Sequence, residues 1–387
     1  MCCVFYFKYS KKLIDKPYLV ALLLTYTKWR LLIPQSAIFL EKEDGFMKAI
    51  YMDSPKAYDM SLKHTDELEP GPNEVIVKVN AAGICGTDLK IYQGKYPNIK
   101  WPIILGHEFS GQVAAVGEGV EGLPVSTNVT ARPGISHCGR CRMCIEGKTN
   151  VCSEKNRLGF EQNGAFAEYV RVHKDQIHIL PKEIDLTTAA MIEPLAVVVH
   201  ALRSITIKPS DVVLVIGPGP IGLIALLLSK ANGATVAISG LSKDQKKLTL
   251  ARELGADLII DAEKENDEKT LLELTNGDGP DIVLECTGTA GGVNKGLELS
   301  RTGGTYVQIG TWSHPLTVDF MKIAYKEITV KGSYGHTKLD WRDSIRLLQS
   351  GRIDLTPLIQ GIYLMDEWEK AFKDAESGEK AKILIKP

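Results

Sequence analysis

Cys138, Cys141, Cys144 and Cys152 are half of the chain's eight cysteines, and they fall within fifteen residues. Four thiolates at this spacing can close a tetrahedron around one zinc ion and leave no position for water, which makes such a site structural. Free surface thiols at this density would be an oxidation liability, and the spacing is not that of a ferredoxin cluster. A second set is dispersed: Cys85 in GICGTD, His107 and Glu108 in LGHEF, and Glu193 in MIEPLAV. Singly, each has an ordinary reading; a lone cysteine is most often a small buried residue, and a His-Glu pair is usually surface chemistry. Jointly they offer sulfur, nitrogen and carboxylate ligands, a mixture suited to a metal site that keeps one position for water or substrate. A third feature is G-x-G-x-x-G, formed by Gly217, Gly219, Pro220, Ile221 and Gly222 with Pro218. VVLVI before it reads as a buried strand and IGLIALLLSKANG after it as a helix. In that setting the glycines permit a tight turn, let the backbone approach a pyrophosphate and let helix pack on strand. The helix N-terminus then offers free N–H groups to the phosphates.

The elements that must hold these groups differ along the chain. From 47 to about 180 the sequence is short strands and turns, beginning with MKAIYM, and Val75, Val77 and Val79 alternate with Ile76, Lys78 and Asn80 as in a half-buried strand. From Asp211 strands and helices alternate (VVLVI, TVAIS, DLII, DIVLEC and TYVQIG between helical stretches), which predicts βαβ units and a parallel sheet. WRDSIRLLQSG and closing strand–helix–strand pieces follow. The first 46 residues look unlike the rest. Their apolar stretch, 18–26, is flanked by lysines and is shorter than the roughly 18 residues a membrane span needs. They read as an extension outside the fold, in preference to a signal peptide or a membrane tether.

Size and composition bound the answer. With 387 residues the chain has room for about two to three domains and a large core without disulfides. A formal net charge of -1 gives no pull toward nucleic acid or an acidic membrane surface. One dense cysteine cluster in a long chain points to a metal site in a reducing compartment, hence the cytoplasm.

From 47 to 387 the chain resembles the zinc-containing medium-chain alcohol dehydrogenases, and within them the sorbitol and threonine dehydrogenase branch. GICGTD, LGHEFSG, the four-cysteine lobe, GAFAEYV, EPLAV and GPGPIG stand in the family's order. The resemblance implies an α/β protein: a GroES-like β-rich catalytic domain (47–198) with a structural-zinc lobe, a Rossmann doubly wound parallel-sheet domain (199–335), and a C-terminal return to the catalytic domain (336–387). It implies that Cys85 and His107 bind a catalytic zinc, with Glu108 as third or interchangeable ligand. Glu193 stands where liver-type alcohol dehydrogenases carry a second cysteine, and in this branch such a carboxylate holds the metal's water or exchanges onto the metal. Thr87 matches the hydroxyl that passes the alcohol proton outward, and Asp88 the acid that orients the histidine ligand. A zinc-free quinone reductase or a structural relative of the same fold is the rival, disfavoured by the intact Cys85, His107 and Glu193 set.

The implied reaction is hydride transfer between an alcohol carbon and NAD(P), since zinc brings the pKa of a bound oxygen down toward 7. Substrate stays open among polyols, sugars, amino alcohols and secondary alcohols. Where the branch often has a histidine the chain has Lys90, and GSYGHT at 332–337 begins like the threonine dehydrogenase segment and then diverges. The acidic residue that ends the second Rossmann strand in NAD enzymes is replaced by Gly240, followed by Leu241, Ser242 and Lys243. Ser242 and Lys243 are expected to meet a 2′-phosphate, so the coenzyme is expected to be NADP. By analogy with the branch, a homo-oligomer, in particular a homotetramer, is expected.

Overall fold

The computed structural model of the chain describes residues 45–96, 99–312 and 314–387; the expectations for the leading segment fall almost wholly outside them. Among the described residues no helix is long and apolar enough to cross a membrane.

The first part is β-rich. Strand β1 (Phe46–Met52) pairs antiparallel with β2 (Met60–Asp66). The long β3 (Glu74–Gly83) runs straight into helix α1 (Gly86–Tyr92), and β4 (Ile103–Ile104) completes a three-stranded sheet with β2 and β1. Val75, Val77 and Val79 are buried as their alternation predicts, and Ile76 is buried as well. β5 (Glu108–Val116) and β6 (Asn128–Ala131) continue the sheet around β3. The small β7–β8 pair (Gly134–Ser136, Asn156–Arg157) brackets the cysteine lobe. β9 (Tyr169–His173) pairs with β3, and β10 (Ile177–Ile179) with β6.

Helix α2 (Ile192–Arg203) leads into the second part. Its strands are β11 (Val212–Ile216), β12 (Thr235–Gly240), β13 (Leu258–Asp261), β14 (Ile282–Glu285), β15 (Thr305–Gln308) and β16 (Thr329–Gly332). They form one sheet in the order β13-β12-β11-β14-β15-β16, parallel throughout. This is the doubly wound 3-2-1-4-5-6 order, in which ligands bind where the order reverses, beyond the ends of the first and fourth strands. Val213, Leu214 and Val215 are wholly buried, each contributing about 1.5–3 kcal/mol of burial, because helices cover both faces. Among these, α3 (Pro220–Ala231) follows β11 with Pro220 in its first turn, where no backbone N–H is needed. α4 (Gln245–Glu253) follows β12.

The chain then returns. α5 (Lys338–Gln349) packs on α2. β17 (Ile359–Leu364) and β18 (Lys382–Lys386), with α6 (Trp368–Ser377) between them, join the first sheet by pairing β18 with β3, Leu384 opposite Gly83. This return brings residues from the last ten positions to the floor of the site.

Candidate active site

The cysteine lobe is built locally. The four sulfurs of Cys138, Cys141, Cys144 and Cys152 lie within 4.8 Å of one another. Cys138 Sγ stands 3.9 Å from Cys144 Sγ and 3.7 Å from Cys152 Sγ. Sulfurs placed about 2.3 Å from a central zinc on a tetrahedron stand about 3.8 Å apart, so the donors fit that ion. Backbone amides feed them: Cys141 N–H donates to Cys138 Sγ at 3.3 Å and Cys138 N–H to Cys152 Sγ at 3.5 Å. The backbone N–H groups of Arg140 and Cys141 bring the Cys138 thiol down to about 7, while burial and then Cys141 push Cys144 up to about 12. Neutral pH therefore leaves protons in the cluster that a metal must displace.

The second cluster is assembled from distant elements. Cys85 is the N-cap of α1: its Sγ accepts the Thr87 N–H at 3.5 Å, and Asp88 Oδ2 accepts the Cys85 N–H at 2.9 Å. GICGTD is thus a reciprocal cap, with sulfur in place of the usual hydroxyl. Asp88 is wholly buried, and its Oδ1 accepts the Gly106 N–H and lies 3.5 Å from His107 Nδ1. Glu108 opens β5, directly after His107. The ligand atoms of Cys85, His107 and Glu108 lie within 4.8 Å of one another, a set that fits a zinc with an open position. Glu193, buried in the first turn of α2, stands beside this trio and bears electrostatically on both His107 and Glu108. Burial alone would lower the His107 pKa, but the Asp88 and Cys85 charges outweigh it and hold it well above the usual value.

Two residues that sequence reasoning did not assign complete the floor. Lys382, buried at the start of β18, ion-pairs with Glu108 and donates to the Ile84 carbonyl at 2.9 Å. A Cβ on Gly83 would meet Glu108 Oε2 at 2.4 Å and Lys382 Cε at 2.8 Å, so the pair crosses over a position that only glycine leaves open. His336, in GSYGHT, puts Nε2 3.0 Å from Glu193 Oε1. Its Nδ1 accepts the Trp341 indole N–H at 2.9 Å. Because indole only donates, neutral His336 must carry its proton on Nε2 and donate it to Glu193. Burial alone would raise the Glu193 pKa, but His336, then His107 and Lys382, hold it below the usual value.

Both sides of a cleft of about 810 Å³ meet at this floor. Cys85, Thr87, His107, Glu108, Glu193 and His336 line one side, and Gly219, Pro220 and Ile221 the other. The three glycines of the turn divide their work. Gly217 has φ +100°, and a Cβ there would meet Thr287 Cγ2 at 2.5 Å. A Cβ on Gly222 would meet the Gly217 carbonyl at 1.8 Å, whereas Gly219 faces open space. The first and third glycines are therefore fixed by the protein itself, and the middle one is left free for an approaching ligand.

Comparison with known proteins agrees with this geometry. Residues 71–182 match the alcohol dehydrogenase GroES-like domain family and residues 220–350 the zinc-binding dehydrogenase family. A sorbitol dehydrogenase of Halalkalibacterium halodurans is 40% identical over 342 residues, which is 88% of this chain and 99% of that protein. An L-threonine 3-dehydrogenase of Bacillus subtilis is 37% identical over 350 residues, 89% of this chain and 100% of that one. The chain belongs to the zinc-containing medium-chain alcohol dehydrogenases, in their sorbitol and threonine dehydrogenase branch. It is a zinc-dependent alcohol oxidoreductase, and nothing found supports the zinc-free rival. The NADP-bound structure of a Sinorhizobium meliloti protein described as a zinc-binding dehydrogenase superposes with a TM-score of 0.82 at 31% identity, covering 88% of this chain and 99% of that one.

At the far end of the dehydrogenase's coenzyme side, one expectation changes. Ser242 gives its hydroxyl to Asp261 at 2.8 Å and its N–H to Glu263 at 2.7 Å, so the donors expected to reach the coenzyme already serve carboxylates. Asp244 is likewise committed, capping Leu241 N–H and pairing with Lys247. Lys243 is exposed. Lys90, whose role the sequence left open, donates to the Thr311 carbonyl at 2.9 Å across the cleft.

Proposed function

We propose that this dehydrogenase oxidises a secondary alcohol of a polyol or sugar-like substrate. The observation that carries the reading is the Cys85, His107 and Glu108 trio at the floor of a cleft whose opposite side is the glycine turn. When bound, zinc lowers the pKa of the alcohol oxygen so that its proton leaves near neutral pH. Thr87, lining the cleft two residues after Cys85, accepts that proton on its hydroxyl and passes it outward. Asp88 holds the His107 ring in place. Glu193, kept ionised by His336, faces the metal ligands as a reserve acceptor. Gly219 and Ile221, at the start of α3, hold the pyrophosphate on free N–H groups while Pro220 fixes the turn between them, so that the nicotinamide can come within about 3–3.5 Å of the alcohol carbon.

On coenzyme we infer NADP(H), resting now on Gly240 in place of the acid and on exposed Lys243, without Ser242. A Gly240→Asp change would press on Pro218, which a Cβ at 240 meets at 2.8 Å, so Lys243→Ala is the cleaner test. A homo-oligomer is supported by β16, an edge strand exposed along its length, with Phe320, Met321 and Tyr325 exposed on the segment before it. A cytoplasmic setting is supported by the free thiols of the cysteine lobe. The deciding experiment is a screen of polyols, sugars, threonine and simple secondary alcohols with both coenzymes, reading reduced coenzyme. A polyol with the highest kcat/KM supports the proposal; threonine or a simple alcohol at the top overturns its substrate half.

A further inference from the structure

The cleft holds more positive charge than the chemistry just described uses. Lys382 is matched by Glu108, and Lys90 is spent on the Thr311 carbonyl. Beyond them, lining the cleft just after the cysteine lobe, lie Lys155 and, in β8, Arg157. Arg157 gives Nη2 to Glu161 at 2.7 Å and Nε to the same carboxylate at 3.2 Å. Lys155 has no carboxylate within 4.0 Å among the described residues. Its Nζ donates once, to the Asn150 carbonyl at 2.7 Å, and sits 4.3 Å from the centre of the Tyr334 ring. Of these two half-buried cations only Arg157 is paired with a carboxylate. A half-buried ammonium with one hydrogen bond leaves two donors to be satisfied, at a desolvation cost that an anion would offset. Burial, and after it the neighbouring Arg157, lowers the Lys155 pKa, the direction of a site short of negative charge.

Two further facts point at a ligand. Ser333 Oγ, in the same cleft wall, is buried without a hydrogen-bond partner among the described residues. Arg132, another cation lining the cleft, has a buried Nε in the same condition. Unpartnered buried donors are uncommon in a finished fold. Phe160 also stands between Arg157 and the candidate metal ligands. The Arg157 guanidinium lies 4.1 Å over the Phe160 ring, and that ring lies 5.2 Å from the His107 ring.

We propose that Lys155, assisted by Arg157, receives an anionic group carried by the substrate at the end away from its reacting carbinol. The substrate is then a polyol bearing a phosphate or a carboxylate, not a neutral one. The inference rests on the proposed polyol oxidation and narrows its substrate class. Arg157 remains tied to Glu161 and sets the local field, while Lys155 makes the direct charge-assisted contact.

The test compares sorbitol, sorbitol 6-phosphate and gluconate as substrates of the zinc-loaded full chain. An anionic probe is expected to exceed sorbitol in kcat/KM at least tenfold, and the better of the two names the group. Lys155→Met should shrink that advantage at least tenfold through KM, and Lys155→Arg should restore most of it. Zinc content and melting temperature of Lys155→Met are measured alongside, because Lys155 also lies near Cys152. Loss of zinc with an unchanged anion advantage would assign Lys155 to the cysteine lobe and overturn the proposal. Sorbitol oxidised as well as both anions overturns it too, while leaving polyol oxidation intact. No turnover of any of the three with two zinc ions bound would sink the polyol reading itself, and this inference with it.

Discussion

The two candidate metal clusters are built in opposite ways. Cys138, Cys141, Cys144 and Cys152 come from one stretch of fifteen residues and need little beyond local turns and their own amides to converge. The candidate catalytic cluster draws Cys85 from the N-cap of α1, His107 and Glu108 from the start of β5, Glu193 from α2, His336 from the segment before α5 and Lys382 from β18. Nearly three hundred residues separate Cys85 from Lys382, and the sheet pairing of β18 with β3 is what joins them. A local site can stabilise the fold when it binds metal; a dispersed site can only inherit its geometry from a fold already made.

That contrast can be broken most sharply by removing one ligand from each. Cys85→Ser is expected to abolish turnover, at least ~1000-fold down, while the melting temperature moves little. Cys141→Ser is expected to lower the melting temperature and to lose its zinc, with activity falling because the lobe flanks the cleft. Thermal scans beside steady-state kinetics decide it, and the reverse pattern would exchange the two assignments.

Lys382→Met probes what the dispersed site owes to its surroundings. In the metal-free protein it leaves Glu108 buried without its cation, which costs about 3–5 kcal/mol, read as a shift in denaturant midpoint with zinc chelated. A change below about 1 kcal/mol would show that Glu108 does not depend on Lys382. Glu193→Gln keeps shape and removes charge. It should cut kcat at least ~10-fold with zinc retained; unchanged kinetics would reduce Glu193 to a residue that starts a helix before Pro194.

A smaller effect separates the domain edge from both clusters. His178 stacks on Trp341 at 5.3 Å, and burial, then Arg132, lower its pKa to about 3. The unfolded chain binds this proton near pH 6.5 and the folded one does not, so stability falls as pH drops from about 6.5 toward 3. His178→Phe should remove about 2 kcal/mol of the loss between pH 6.5 and 5 relative to wild type. Parallel curves for the two proteins would contradict that.

What could be read from the sequence follows the same division. The cysteine lobe and the glycine turn were legible because each is contiguous and its spacing is its geometry. Cys85, His107, Glu108 and Glu193 were legible only through the family's order of motifs, since nothing in the spacing between GICGTD and MIEPLAV says that they meet. Lys382 was missed because a lysine in AKILIKP reads as an exposed strand residue until β18 is seen lying against β3. His336 was visible in GSYGHT, but its role depends on the Trp341 indole five residues on, which fixes the tautomer. The hydrogen bond of Ser242 to Asp261 was not legible, because Asp261 is nineteen residues away in sequence and ends the neighbouring strand.

Two zinc sites, one local and one dispersed, are proposed for a single chain. Metal analysis of the purified protein tests this directly. Two zinc ions per chain are expected in the wild type, and one in a folded, inactive Cys85→Ser. Zinc well below one per chain in an active wild-type enzyme would contradict the account.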